Sequence, residues 1–237
     1  MEAGFVMRIR IKYSKTGILK YIGHLDTMRF FQKALRRAGF NVVYSEGFNP
    51  HMVMSFALPL GVGVTSEGEY FDLDVKTADS SEVMTEKLNK QMPDGMRILN
   101  VVKIGEDKAS KCMTQVAGAD YELAFENMEM LCADWKNLFE EFMGKSEIFV
   151  VKKTKKNENT IDIRPLIYSY DIKDGGICFR LSAGSVNNLK PQLVMNAFCE
   201  EAGLDPSILK YRIHRKNLLL EKEGKLYPLD HLGEQII

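Results

Sequence analysis

Met7-Arg8-Ile9-Arg10-Ile11-Lys12-Tyr13 alternates apolar and basic residues without a break. A period of two is that of a β-strand, so this stretch predicts a strand with Ile9 and Ile11 on one face and Arg8, Arg10 and Lys12 on the other. After Gly17 and the apolar run Ile18–Ile22, the period changes. Leu25, Met28, Phe31, Gln32, Leu35 and Ala38 follow helical spacing, with Gly39 as the stop. Arg29, Lys33, Arg36 and Arg37 fall largely on the other side of that helix.

The chain continues in the same vocabulary. Val42-Val43-Tyr44 has strand character, Glu46-Gly47 and Asn49-Pro50 mark an irregular loop, and Met52–Leu58 predicts a strand. Glu69–Val75 is another alternating strand, with Glu69, Asp72 and Asp74 as acidic members. Ser80 or Ser81 caps a helix carrying Val83, Met84, Leu88 and Met92, which stops at Pro93-Asp94-Gly95, and Arg97–Ile104 predicts the next strand. Residues 105–118 have little periodicity and read as a linker.

The order then repeats. Tyr121–Phe125 predicts a strand, Asn127 the cap of a helix with Leu131, Trp135, Leu138 and Phe142 on its apolar face, and Glu147–Val151 a strand. Tyr168–Ile172 turns at Asp174-Gly175-Gly176 into Ile177–Leu181, a hairpin signal. Lys190-Pro191 opens a helix, and Leu209–Asn217 predicts a strand with Arg212, His214 and Lys216 on one face. Strand, helix, strands, helix, strand is the split βαβ order. The expected fold is therefore α+β: tandem ferredoxin-like (βαββαβ) units with antiparallel sheets, over 7–104 and 119–217, followed by a hairpin tail at 218–237.

With 237 residues, 45% hydrophobic and 27% charged, the chain can bury an ordinary core. No apolar run approaches the ~20 residues of a membrane helix, and Met1–Val6 lacks the regions of a signal peptide, so a cytoplasmic protein is expected. Cys112, Cys132, Cys178 and Cys199 lie at least 20 residues apart, without zinc or iron–sulfur spacing. They predict reduced thiols, no metal and no cofactor. The zero net charge hides a gradient: Lys and Arg outnumber Asp and Glu nine to three over residues 1–60, and the ratio is nine to eighteen over 61–150. A polyanion would therefore meet the first quarter of the chain before the middle.

Tyr21–Phe56 holds two of the four histidines, a basic helix pattern and a Gly/Asn/Pro turn, and is the first place to look for a site. His24, beside Asp26 at the helix start, has the chemistry of a general acid or base, or of a capping residue. In the turn from Ser45 to His51, Phe48 can stack on a base while Asn49 and His51 make polar contacts; a tight turn would use the same Gly and Pro. Arg29, Arg36 and Arg37 add charge beside it. Arg8 and Arg10 on the first strand, and Arg212 and His214 on the last, form two faces able to meet phosphates, although neither face carries a stacking aromatic. Lys155 and Lys156, with Asp162 and Arg164, read as an arm toward a polyanion or as a solvated hairpin tip, and Lys190 adds a cation at a helix start. His24, Asp26 and His51 lack the spacing of a metal site.

Several of these blocks carry a resemblance. Ile22-Gly23-His24-Leu25-Asp26, Ala34–Gly39, Tyr44–His51 and Ser55–Gly61 resemble the radical-SAM-linked domain of unknown function, with further matches at Lys155-Lys156, Asp162–Pro165, Leu181–Ser185 and Lys190-Pro191. In that family the domain stands alone or follows a cobalamin-binding radical-SAM enzyme. The resemblance implies a partner of that kind. The three-cysteine cluster of a radical-SAM enzyme is missing, so the chain is not the catalytic half. The element order is also similar to that of CRISPR RNA-processing endoribonucleases. Three functions are thus in view: a non-catalytic module presenting structured RNA to a radical-SAM partner, a metal-independent endoribonuclease using His24, and a protein-binding scaffold.

Overall fold

The computed structural model describes residues 6–153 and 158–237. The protein is a mixed α/β molecule with few helices and one large, mostly antiparallel sheet. Its first part runs β1 (Met7–Lys15), α1 (His24–Arg37), β2 (Met54–Phe56), β3 (Thr65–Val75), α2 (Ser81–Asn89) and β4 (Met96–Ile104). After the short α3 (Cys112–Gln115), the second part runs β5 (Val116–Phe125), α4 (Trp135–Met143), the separate hairpin β6 (Phe149–Lys153) and β7 (Glu158–Asp162), then β8 (Ile167–Lys173), β9 (Gly176–Ser182), α5 (Pro191–Glu201), β10 (Tyr211–Lys222) and β11 (Lys225–Pro228).

The strands lie in the order β4-β1-β3-β10-β5-β9-β8, with β2 added on β3 and β11 on β10. Every pairing is antiparallel except that of β3 with β10, which pairs only His214 with Thr65 and Arg215 with Ser66. This short parallel contact is the seam between the two parts, and it makes a single sheet where two were expected. Gly68 lets the strands come this close, because a Cβ there would collide with the Asn217 Cα and the Lys216 carbonyl. β2 occupies the same edge of β3 farther along, opposite Phe71–Leu73.

The four longer helices, α1, α2, α4 and α5, cover one face of the sheet. Ile9, Ile11 and Tyr13 of β1 and Phe71, Leu73 and Val75 of β3 pack on Phe31 and Leu35 of α1 and Met84 and Leu88 of α2. Burying such side chains is the main favourable term in folding, at roughly 1.5–3 kcal/mol each. The second part repeats this with Phe139 and Phe142 of α4 and Val194 and Phe198 of α5 over β5, β9 and β10. Ser80 does cap α2, accepting from the Val83 amide at 3.3 Å.

The opposite face of β1 overturns a sequence expectation. Arg8 and Arg10 do not face solvent. They stand directly across from Asp74 and Asp72 in the β1–β3 register and pair with them at 2.7 and 2.8 Å. The basic alternation of one strand is complementary to the acidic alternation of its neighbour. Arg8 Nη1 also donates to the carbonyls of Glu106 and Asp107, and Arg10 to those of Ser110 and Leu229 and to Gln115 Oε1. Residues 105–115 are thus laid across this face and held there by two guanidinium groups. The chain's end returns to the same side: Asp230 accepts from Tyr70 and Asn100, and Glu234 bridges Lys103.

Asn127 is a second correction. Its side chain does not cap a helix. It donates to the Ile208 carbonyl and accepts from the Lys210 amide, tying the end of β5 to the start of β10, while α4 begins eight residues later at Trp135.

Cys112 is fully buried, with Sγ donating to the Ser55 carbonyl at 3.1 Å, and burial pushes its thiol well above the ordinary range. Cys132 is exposed. Because the thiolate is the nucleophile, alkylation of the native protein at mildly alkaline pH is expected to label Cys132 fully before Cys112 reacts at all. Peptide mapping checks this, and early labelling of Cys112 would contradict the burial of α3.

Candidate functional site

The first surface is built on α1. Gly23 provides an extended N-cap, and Thr27 closes the first turn with its amide and hydroxyl both on the Gly23 carbonyl at 3.0 Å. Asp26 lies in the first turn, and Arg36 and Arg37 in the last, which suits the helix dipole. Lys15, almost completely buried, donates its ammonium to the Ile22 carbonyl and so fixes the chain just before the helix; burial lowers its pKa. With Phe31, Ala34 and Leu35 turned inward, Arg29, Lys33, Arg36 and Arg37 are all exposed on the outer face. Their polar partners are few: Arg29 meets Asp26 at 3.4 Å, Arg36 meets the Tyr44 hydroxyl at 3.4 Å, and Arg37 meets Gln91 at 3.0 Å.

Tyr44 leads into a loop pinched at its base. Ser45 N donates to the His51 carbonyl at 2.8 Å, His51 N donates to Ser45 Oγ at 3.1 Å, and the His51 ring meets the same hydroxyl at 2.8 Å. Gly47 turns the tip with φ of 106°, a left-handed conformation that disfavours side chains. The result projects Phe48 into solvent with essentially no contact, at 111% relative exposure, beside Asn49. Ser45 and His51 act here as the clasp of the loop, and Phe48 and Asn49 are what it offers.

His24 is not assembled with a carboxylate. Its half-buried ring meets Phe56 edge-on, with centroids 5.1 Å apart, and Asp26 turns toward Arg29. No hydrogen bond joins His24 to His51 among the described residues, which also contain no group of three His, Cys, Asp or Glu side chains able to hold a metal ion.

The second surface lies at the seam. The turn Gly17–Tyr21 overhangs β10 and β5, enclosing an open cavity of about 550 Å³ whose polar lining is Lys20, Thr65, Glu122, Arg212 and His214. His214 Nδ1 is 2.9 Å from Thr65 Oγ1, and its Nε2 is 3.8 Å from Glu67. Arg212 meets Glu126 at 3.2 Å, and Lys216 meets Glu122 at 4.0 Å. The cations expected on this strand are present, but each faces an acid, so the groove carries a mixed field. Tyr21, 63% exposed with the Lys20 ammonium 5.1 Å above its ring, is an exposed aromatic on this groove of the kind the strand faces lack. The sequence signal for it was the exposed phase of the Ile18–Ile22 run.

Other expected contacts have internal partners. Asp162 accepts from the amides of Ile148 and Arg164, closing the β6–β7 hairpin, and Arg164 donates to the carbonyls of Met143 at the end of α4 and of Ile167. Both are half-buried framework residues. Lys155 and Lys156 lie outside the described residues. Lys190 is exposed at the N-cap of α5. Reading by motif missed the Glu69–Arg215 pair, whose side chains are both 3% exposed and bonded at 2.7 and 2.6 Å across the seam. The signal was available: Arg215 falls in the apolar phase of β10, with Ile213.

No described helix is long and apolar enough to cross a membrane. No curated protein matches the chain. A model of the family described as "Uncharacterized protein conserved in bacteria (DUF2344)" matches residues 8–191, which run from β1 through the first part and into the second as far as the first residue of α5 and make up well over half of the sequence. The chain therefore belongs to that conserved bacterial family.

Proposed function

We propose that the protein is a non-catalytic module that holds structured RNA on the outer face of α1 and the Ser45–His51 loop and presents it to a radical-SAM partner. The observation that carries the RNA contact is the placement of Arg29, Lys33, Arg36 and Arg37 on one exposed helix face, joined through Arg36 to the exposed ring of Tyr44, from which the loop runs to the exposed Phe48. Cations track a phosphate backbone, and a projecting aromatic stacks on an unpaired base. Asp26 and Glu46 are the acids within this segment, so its field is more positive than that of the seam groove. The partner follows from the motif resemblance. The strand orders β4-β1-β3-β2 and β10-β5-β9-β8 support reading the two parts as tandem ferredoxin-like units.

Titration of a fluorescent RNA hairpin bearing an unpaired loop, at several salt concentrations, tests the reading. The triple variant Arg29→Ala, Lys33→Ala, Arg36→Ala is expected to reduce the log–log salt slope by about 2, near 0.7 for each lost contact to single-stranded phosphate. Phe48→Ala is expected to weaken binding by about tenfold with an unchanged slope, because stacking carries no counterion release. An intact protein without salt-dependent RNA binding, or a triple variant with the parent's slope, would sink the proposal.

A further inference from the structure

A smaller cavity lies on the helix-covered side of the seam, distinct from the open groove. It measures about 250 Å³ and is enclosed between the Leu58–Val64 loop, the floor of β5 and β10, and the start of α5. Its polar lining is Tyr121, Asn188, Lys190, Gln192 and Arg215.

The chemistry of this lining is one-sided. Arg215 is 2% exposed and lines the cavity; its Nε and Nη2 are bonded to Glu69 and the Leu58 carbonyl, and its guanidinium also has the Tyr121 hydroxyl as a partner. The Tyr121 hydroxyl sits beside this guanidinium, on a residue 7% exposed. A guanidinium has no lone pair to offer, so the hydroxyl proton finds no acceptor in it. α5 is 11 residues long, its N-cap is Lys190, and no side chain caps it. The Gln192 amide lies in the first turn, where no intrahelical carbonyl is available. Guanidinium, phenol, helix amide and lysine ammonium thus converge on one small space. No carboxylate is among its lining residues, and Glu69, the partner of Arg215, is bound twice by that guanidinium.

We propose that this cavity is a phosphate-binding site, taking the terminal or bridging phosphate of a ligand whose remainder lies outside. A phosphate supplies several strong acceptors and the charge that Lys190 and the α5 dipole favour. The volume admits such a headgroup but is below that of a pocket for a whole nucleotide-sized ligand. The site is separate from the α1 surface and does not rest on the RNA reading.

The probe is inorganic phosphate, titrated into the full-length protein by calorimetry and by amide chemical shifts. Saturable binding with shifts at residues 188–192 is expected. Tyr121→Phe, which keeps the ring, and Lys190→Ala, on the surface, are each expected to weaken binding by about tenfold, the scale of one hydrogen bond to a charged group. Circular dichroism establishes that both variants are folded. A 5′-mononucleotide that binds more tightly than inorganic phosphate identifies a free nucleotide as the source. An RNA hairpin that displaces phosphate from the site, with the mononucleotide no better than phosphate, identifies the RNA backbone. Absence of saturable phosphate binding at tens of millimolar, or full binding retained in both folded variants, would overturn the proposal.

Discussion

Replacing Arg10 by methionine is expected to destabilise the protein by about 3–5 kcal/mol, because it strands the Asp72 carboxylate in the interior. Both side chains are almost inaccessible, at 1% and 3% exposure. Asp72 receives Arg10 Nε at 2.8 Å, Arg10 Nη2 at 3.2 Å and the Cys112 amide at 2.6 Å, and methionine removes the first two donors and the compensating charge together. The same substitution frees the Ser110 and Leu229 carbonyls and Gln115 Oε1, so residues 110–115 and Leu229 lose their tie to β1 while Arg8 still holds Glu106 and Asp107. Denaturant unfolding measures the loss. The double variant Arg10→Met, Asp72→Asn is expected to recover part of it, since no unpaired charge then remains. A loss below about 1 kcal/mol for the single variant, the scale of a surface pair, would contradict the buried geometry. An Arg10 that met phosphates would behave differently: its removal would leave stability near the parent's and weaken RNA binding.

The second large effect is expected at the seam. Glu69→Gln leaves Arg215 charged and buried without its counter-ion, again at a cost of about 3–5 kcal/mol. The consequence is also spatially specific. Only two residue pairs join β3 to β10 by backbone register, whereas β1 and β3 share eight and β5 and β9 share seven. The two side-chain bonds between Glu69 and Arg215 reinforce the weakest line in the sheet. Hydrogen exchange is expected to rise first at the junction of Thr65–Gly68 with His214–Asn217, ahead of β1 and β9. Uniform acceleration across the sheet would mean that the two parts unfold as one unit and that the seam is no weaker than its surroundings.

Much of the architecture was legible because it is local. The period-two pattern of Met7–Tyr13, the helical spacing of Leu25 to Ala38, the Ser80 cap and the Asp174-Gly175-Gly176 turn each act over a few residues, and each element is present. Asn127 shows where local reading fails. An Asn before a helical pattern serves equally as a cap or as a tie to a distant backbone, and here its partners lie at Ile208 and Lys210. The candidate site divides in the same way. Phe48 and Asn49 project from a loop whose Gly, Pro, Ser and His are adjacent in sequence, and the outer face of α1 follows from its own periodicity.

Arg8 and Arg10 mark the limit. Their alternation establishes that they share a face of a strand, and the sequence alone determines that much. It also contains the answering acids on Glu69–Val75, but whether a basic face meets phosphate or a neighbouring strand depends on which strands become adjacent. That adjacency is set by long-range packing over a chain separation of more than sixty residues. Only the tertiary structure decided that Asp72 and Asp74 stand opposite them, that the expected linker is laid over them, and that Arg215 is drawn into the seam, onto Glu69 and into the wall of a cavity. A charged side chain has the same chemistry in every register; its neighbours decide whether that chemistry is spent on the fold or left for a ligand.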